Sequence, residues 1–258
     1  MKNRLFTGII GGLVLGISTY LGGIFFYIVY FFIASFCLLE LSRAFKQKIF
    51  ESGYYLNLIL NLIFLIVSIF KKDSDITFHI TLVLFVYISL NLFYYAFLNI
   101  KAENIFVNLI GGLYISFFLF HLYLLNDTLF VWYIYIIAFS NDTFAYFTGR
   151  FLGKHKLAPK LSPRKTIEGA IGGIFGSVIV AMIYNSFIGN YNTAIIILFI
   201  VTAYIFSISG DLIASKIKRN NKIKDYSNFL PGHGGFLDRF DSMILIVPII
   251  YYFSVYIS

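Results

Sequence analysis

PGHGGFLDRFDS, residues 231–242, runs straight into MILIVPIIYYFSVYI, residues 243–257. The second stretch is almost wholly apolar. The first packs three glycines, a histidine, two aspartates and an arginine into twelve residues. Apolar runs of this kind recur through the whole chain. Of the 258 residues, 59% are hydrophobic and only 12% are charged, where a soluble domain carries about 25% charge. Mean hydropathy is +0.84. Runs near 20 residues are long enough to cross about 30 Å of hydrocarbon as helices. A barrel would show short alternating segments, and these runs are continuous. The expected fold is therefore an all-α polytopic membrane protein.

Nine runs qualify, at about 5–20, 22–39, 55–70, 76–98, 105–124, 128–148, 168–188, 193–214 and 241–257. The start, MKNRLFTGIIGGLVLGIS, has the Lys2 and Arg4 of a signal peptide but no small-residue cleavage site, so it reads as a retained first span. With nine spans, 18 of the 20 Lys and Arg fall on the N-terminal side of the membrane, and the other two, Lys71 and Lys72, on the opposite side. Excess positive charge marks the cytoplasmic face. The N-terminus and the loops at 149–167 and 215–240 are expected there, and the C-terminus outside. Two regions are expected, residues 1–125 as a transmembrane scaffold with possible dimer contacts and 126–258 as the catalytic part. The first shows almost no polar residue inside its spans beyond His79, His121 and some Asn, Ser and Thr.

Four acids carry candidate chemistry. Asp142 (AFSNDTFAYF) and Asp211 (SISGDLIASK) sit inside or at the ends of apolar runs. A carboxylate there costs at least about 2.5 kcal/mol on insertion scales, so it faces a cavity or a partner. Asp142 fits either that role or an interfacial cap. Asp211 fits function better, because more acids and bases follow it. Asp238 and Asp241 share one face if helical. With Arg239 between them they suit a hard cation such as Mg²⁺, which takes one or two carboxylates plus phosphates. They equally suit the acidic N-terminus of the last helix.

Pro231-Gly232-His233-Gly234-Gly235 cannot be regular helix. Its glycines offer a phosphate nest before a helix start, or a plain turn. SPRKT (Ser162, Pro163, Arg164, Lys165, Thr166) leads into Glu168 like a capped helix start with cations aimed at it, an anion site. The lysines and arginines around Lys218, Arg219 and Lys224 also enforce topology and meet lipid headgroups. Gly169, Gly172, Gly173 and Gly176 have the spacing of helix packing. Cys37 is a lone thiol among apolar neighbours, zinc-type His/Cys spacing is missing, and there is no nucleophile elbow. Carboxylates, cations and glycine turns on one face suit phosphate chemistry with a divalent metal at a membrane.

The run SKIKRNNKIKDYSNFLPGHGGFLDRFD, Ser215 to Asp241, resembles the signature of the phosphatidate cytidylyltransferases (CDP-diacylglycerol synthases). Ser215, Lys218-Arg219, Lys224-Asp225, Ser227, His233-Gly234-Gly235 and Asp238-Arg239-Phe240-Asp241 stand at its fixed gaps. DTFAYFTGRFLGKHKL and SPRKTIEG are similar too, with Ile167 where Trp is common. The resemblance is close over about 138–242; the first half matches only as a string of spans.

The resemblance implies a Mg²⁺-dependent enzyme, with room for a second cation, that makes CDP-diacylglycerol and pyrophosphate from CTP and phosphatidate. It implies a homodimer in the cell membrane with its active site at the cytoplasmic face, and no nucleic-acid partner. Carried over, the metal carboxylates are Asp211 and Asp238, with Asp241 and Asp142 as further candidates. The catalytic set is Asp211, Asp238, Lys218, Arg219, Lys224, Asp225, His233 and Arg239. The substrate set is Ser162, Arg164, Lys165, Thr166, Ser215, Gly234 and Gly235. Two rival readings differ in class. A CTP-dependent polyprenol or phytol kinase would need a base near its alcohol, and the full His-Gly-Gly-Phe-x-Asp-Arg match speaks against it. A cation-coupled transporter would use Asp142 and Asp211 as an ion path, but no repeated halves are visible.

Overall fold

The computed structural model describes residues 2–47, 53–70, 76–98, 100–189 and 191–257. Lys71 and Lys72 lie outside the described residues, as do the side chains of Lys2 and Arg4. The described chain is helical almost throughout. Its helices are α1 (Lys2–Leu21), α2 (Gly23–Ala44), α3 (Tyr54–Ile69), α4 (Ile76–Phe97), α5 (Ala102–Ile110), α6 (Phe118–Leu124), α7 (Val131–Leu152), α8 (Ile167–Ile188), α9 (Thr193–Asn220) and α10 (Leu237–Ile257). A π-helical segment, Gly111–Phe117, joins α5 and α6 into one rod. Each of the nine apolar runs is thus a helix among the described residues. Six rods are long and apolar enough to cross a membrane: α2, α4, Ala102–Leu124, α8, α9 and α10. The apolar parts of α1 and α3, Phe6–Leu21 and Tyr54–Ile69, are shorter.

Packing divides the chain into two units, one of residues 1–127 with 223–239, the other of residues 128–222 with 240–258. The chain crosses from one to the other between Arg239 and Phe240, inside α10. Residues 223–239, including the His-Gly-Gly loop, therefore group with the first 127 residues.

The second unit shows why these helices need lipid. On α8, Ile171, Phe175, Ile179 and Ile183 are between 49% and 66% exposed. The same helix buries Gly169, Gly173, Gly176, Ser177 and Ala181. Large apolar groups outside and small ones inside is the pattern of helices that pack closely in a bilayer. Gly176 meets the Phe144 ring of α7, Gly172 meets Thr148, and Gly173 meets the Tyr204 ring of α9. The glycine spacing is helix packing, as read from the sequence. Polar groups between these helices bond one another. Ser140 donates to Ser177 (2.9 Å), Asn141 to Ser207 (3.2 Å) and the Tyr204 hydroxyl to the Ala170 carbonyl (2.6 Å). Since α7, α8 and α9 alternate in direction, the end of α7, the start of α8 and the end of α9 share one side.

On that side a two-stranded antiparallel hairpin joins α7 to α8: β1 (Lys156–Ala158) and β2 (Ser162–Thr166), with Lys156 opposite Thr166 and Ala158 opposite Ser162. SPRKT is thus a strand rather than an open loop.

In the first unit, α3, α4 and the π-helical segment hold a buried polar cluster. The Tyr87 hydroxyl bonds Asn57 Oδ1 (2.7 Å) and the Asn108 carbonyl (2.6 Å), and Asn108 Oδ1 accepts from the Gly53 amide (2.9 Å). Ser116 of the π-helical segment reaches the Asn57 carbonyl (3.5 Å). Away from water each of these groups needs such a partner.

Candidate active site

In the second unit the site is built on α9. Gly210 and Asp211 come two turns before the basic end of that helix. At about 1.5 Å per residue, the 28 residues of α9 measure about 42 Å, more than a bilayer core. The extra length is SKIKRN, which puts Lys218 and Arg219 in the last turn, where cations suit the helix dipole. Gly210 lies against the backbone carbonyl of Asp241 on α10, where any side chain would collide. Phe199 and Phe253 pack at a tilt further along the same pair of helices, with ring centres 4.3 Å apart. This close approach brings Asp211 and Asp241 to one level.

Asp211 is half-buried and held by side chains. Lys165, from β2, forms an ion pair with its Oδ2, and Ser215, one turn on, donates to its Oδ1 at 3.2 Å. Asp241 is only 7% exposed. Its Oδ1 accepts from the Ser242 amide (2.7 Å), and it lies in the field of Asp211, Lys218 and Lys165. Two carboxylates held together in a poorly solvated place are costly until cations offset them.

The hairpin that presents Lys165 is pinned at its base. Thr166 is buried and caps α8, its hydroxyl accepting from the Gly169 amide at 3.1 Å. Glu168 accepts from the Lys154 amide (3.0 Å), the His155 amide (3.2 Å) and His155 Nδ1 (2.6 Å). Ser162 starts the strand and Arg164 is exposed on it. Thr166, expected among the binding residues, spends its hydroxyl on the helix start. Asp142 is exposed on α7, and its charge is felt by Tyr204.

In the first unit the loop before α10 folds around two carboxylates. Asp238 Oδ2 accepts from the Tyr226 amide (2.8 Å) and the Gly235 amide (2.9 Å). Gly234 has φ +84°, and a Cβ there would sit 2.9 Å from Asp238 Oδ2. Glycine is required on both counts. The second carboxylate is Glu40, near the end of α2. Its Oε1 accepts from Ser227 Oγ (2.6 Å) and the Phe236 amide (3.0 Å), its Oε2 from the Leu237 amide (2.7 Å). The amides at the mouth of α10, which the glycine pattern offered to a phosphate, are therefore engaged by Asp238 and Glu40.

The rest of the loop is tied to α1 and to itself. The Leu230 amide bonds the Gly234 carbonyl (2.9 Å), and Arg239 Nε donates to the His233 carbonyl (2.8 Å). His233 Nδ1 lies 2.6 Å from the Thr7 hydroxyl of α1. Lys224 and Asp225 are exposed. Thr7 and Glu40 are not among the candidate functional residues that the sequence points to; Thr7 is one of the Thr residues expected inside the spans of residues 1–125, and Glu40 lies just past the apolar run at 22–39. Glu40 carried a signal all the same. It is an acid near the end of an apolar helix, the end that disfavours negative charge, and such a group must have partners.

The chain matches the cytidylyltransferase family over residues 2–257. It belongs to that family. As a cytidylyltransferase-family chain it is 33% identical to the phosphatidate cytidylyltransferase of Bacillus subtilis (strain 168), over 98% of this chain and 97% of that one. Shorter stretches agree more closely. Identity is 44% to the phosphatidate cytidylyltransferase of Haemophilus influenzae over 48% of this chain and 45% of that one. It is 43% to that of Staphylococcus aureus (strain COL) over 47% of each.

Proposed function

We propose that this chain transfers the cytidylyl group of CTP to phosphatidate, giving CDP-diacylglycerol and pyrophosphate. The observation that carries the reading is Asp211, half-buried two turns before the basic end of α9, near buried Asp241 and bonded by Lys165 and Ser215. Among the described residues no three His, Cys, Asp or Glu side chains gather as a closed metal cage. A pair of carboxylates with cations around it fits Mg²⁺, which keeps most of its positions for water and phosphate oxygens. Asp211 and Asp241 would hold it, with Asp238 and Asp142 as further candidates and room for a second cation. When bound, the metal would neutralise phosphate oxygens and the charge that builds on the leaving pyrophosphate.

The chain's own groups do the rest. The lipid phosphate has a second pKa near 6, so it is largely ionised at neutral pH and needs no general base. One of its oxygens attacks the α-phosphorus of CTP. The bond to the β-phosphate oxygen breaks and its electron pair leaves with pyrophosphate. The obstacle is repulsion between two polyanions, and Lys165, Lys218, Arg164 and Arg219 supply the opposing charge. Ser162 and Ser215 belong to the same unit as these cations; the family resemblance adds Lys224, Asp225, Gly234, Gly235 and Arg239 as further proposed functional residues.

The charge asymmetry supports nine spans in the cell membrane, with the N-terminus and this site at the cytoplasmic face and the C-terminus outside. The family resemblance supports a homodimer, with residues 1–125 as scaffold and 126–258 as catalytic region. The test uses detergent-purified protein with phosphatidate, Mg²⁺ and CTP labelled at the α-phosphate. Label entering the organic phase is the expected result. Label entering only from γ-labelled CTP with a polyprenol acceptor would replace this reading with a kinase.

A further inference from the structure

We infer that Glu40 of α2 is a positioning residue that sets the shape of the 226–238 loop for the proposed reaction, an inference that rests on that reading. Glu40 is 2% exposed, and it is the one carboxylate on α2, a helix that is apolar from Gly23 to Ala34. Burying a carboxylate is expensive unless each oxygen is bonded. Here both are, and all three donors come from one loop: Ser227 Oγ, the Phe236 amide and the Leu237 amide. Two of these are amides at the start of α10, where a negative charge is also favoured by the helix dipole.

The fit is specific on the other side too. A Cβ on Gly235 would lie 2.5 Å from both carboxylate oxygens of Glu40, so the second glycine of His-Gly-Gly is where the loop meets Glu40. Three residues after Gly235 comes Asp238, whose Oδ2 takes the Gly235 amide. Apolar contacts follow the same path. Phe36, one turn before Glu40, stacks on Phe236 with ring centres 5.0 Å apart and meets Phe229 at 4.9 Å. Residues far apart in sequence thus hold one loop in register, and Asp238 and Arg239 inherit their placement from it. Charge-assisted bonds of this kind are the strong class.

The experiment compares Glu40→Gln with the unaltered protein, both purified in detergent. Glutamine keeps the volume and one acceptor but turns an N–H₂ toward an amide N–H. Two readouts are taken: cytidylyl transfer from CTP to phosphatidate, and hydrogen exchange of the 226–238 amides. Expected are faster exchange at Phe236 and Leu237 and a kcat lower by on the order of 10- to 100-fold, the size of losing charge-assisted bonds to a positioned group. The KM for CTP stays within about two-fold, because both oxygens of Glu40 are engaged by the loop itself. Ser227→Ala, which removes one of the three donors, shows the same pattern more weakly, and it carries the test if the Gln variant does not accumulate. Unchanged exchange at 236 and 237 overturns the inference. So does faster exchange with unchanged kcat, or a kcat loss that merely tracks a global loss of stability. If the unaltered protein transfers no label, the proposed function fails, and the exchange measurement still decides whether Glu40 sets the loop.

Discussion

Asp211 and Asp238 look alike as letters, each an aspartate close to a glycine and at the border of an apolar run. Their surroundings differ in kind. Asp238 gives one oxygen to two backbone amides, Tyr226 and Gly235. Asp211 is bonded by side chains, Lys165 and Ser215. Backbone amides cannot leave without unfolding the loop, so Asp238 shapes its surroundings. A lysine on a four-carbon stem swings away at little cost, so Asp211 can exchange Lys165 for a metal or a phosphate-bound cation. One carboxylate is built into the fold, the other is held ready.

The sharpest way to break this contrast is Asp211→Asn. Transfer activity should fall at least about a thousand-fold, the scale of losing a metal-borne electrostatic contribution, while thermal unfolding in detergent stays put. Full activity would remove Asp211 from the metal site. Asp241→Asn should cost somewhat less, about a hundred-fold. It should leave stability equal or raised, since a buried like-charged neighbour of Asp211 disappears. A clear drop in unfolding temperature would make Asp241 a structural group instead.

Asp238→Ala should lose both activity and stability. Each amide left without its acceptor costs about 1–3 kcal/mol, seen as a lower unfolding temperature and faster exchange at Tyr226 and Gly235. Asp238→Asn keeps one acceptor oxygen and should retain most of the stability while losing turnover. If both variants keep their turnover, Asp238 serves the loop alone.

The helices were legible because an apolar run in this chain has one physical outcome. Their ends were less so. The run ending near 214 continues as helix to Asn220, since SKIKRN is polar but helix-compatible, and apolarity alone cannot see that. The last helix starts at Leu237 rather than 241, with Asp238 in its first turn. SPRKT forms a strand through pairing with residues 156–158, a tertiary fact with no alternating pattern behind it. The π-helical segment leaves no mark in apolarity either. Within the site, the acids and bases were readable as types, but their partners were not. No spacing rule joins Glu40 to Leu237 across 197 residues, or tells that Lys165 reaches Asp211 from the hairpin.

The mildest change should be His233→Ala. Its imidazole sits 2.6 Å from the Thr7 hydroxyl and against Gly8, on a helix that carries no candidate chemistry. The loop keeps the Leu230–Gly234 and Arg239–His233 bonds, both made by backbone atoms of 233 and 234 that alanine retains. An ionised lipid phosphate needs no base, so nothing in the reaction calls for the ring. Turnover should fall only a few-fold, about what one lost hydrogen bond of roughly 1 kcal/mol allows. Thr7→Val should cost at least as much, because the Thr7 hydroxyl also donates to the Pro231 carbonyl (3.2 Å). Their combination should be no worse than Thr7→Val alone, because that variant already removes the Thr7–His233 bond. Complete loss in His233→Ala with Thr7→Val fully active would instead give the imidazole a chemical role and move the first unit's loop from scaffold to reacting centre.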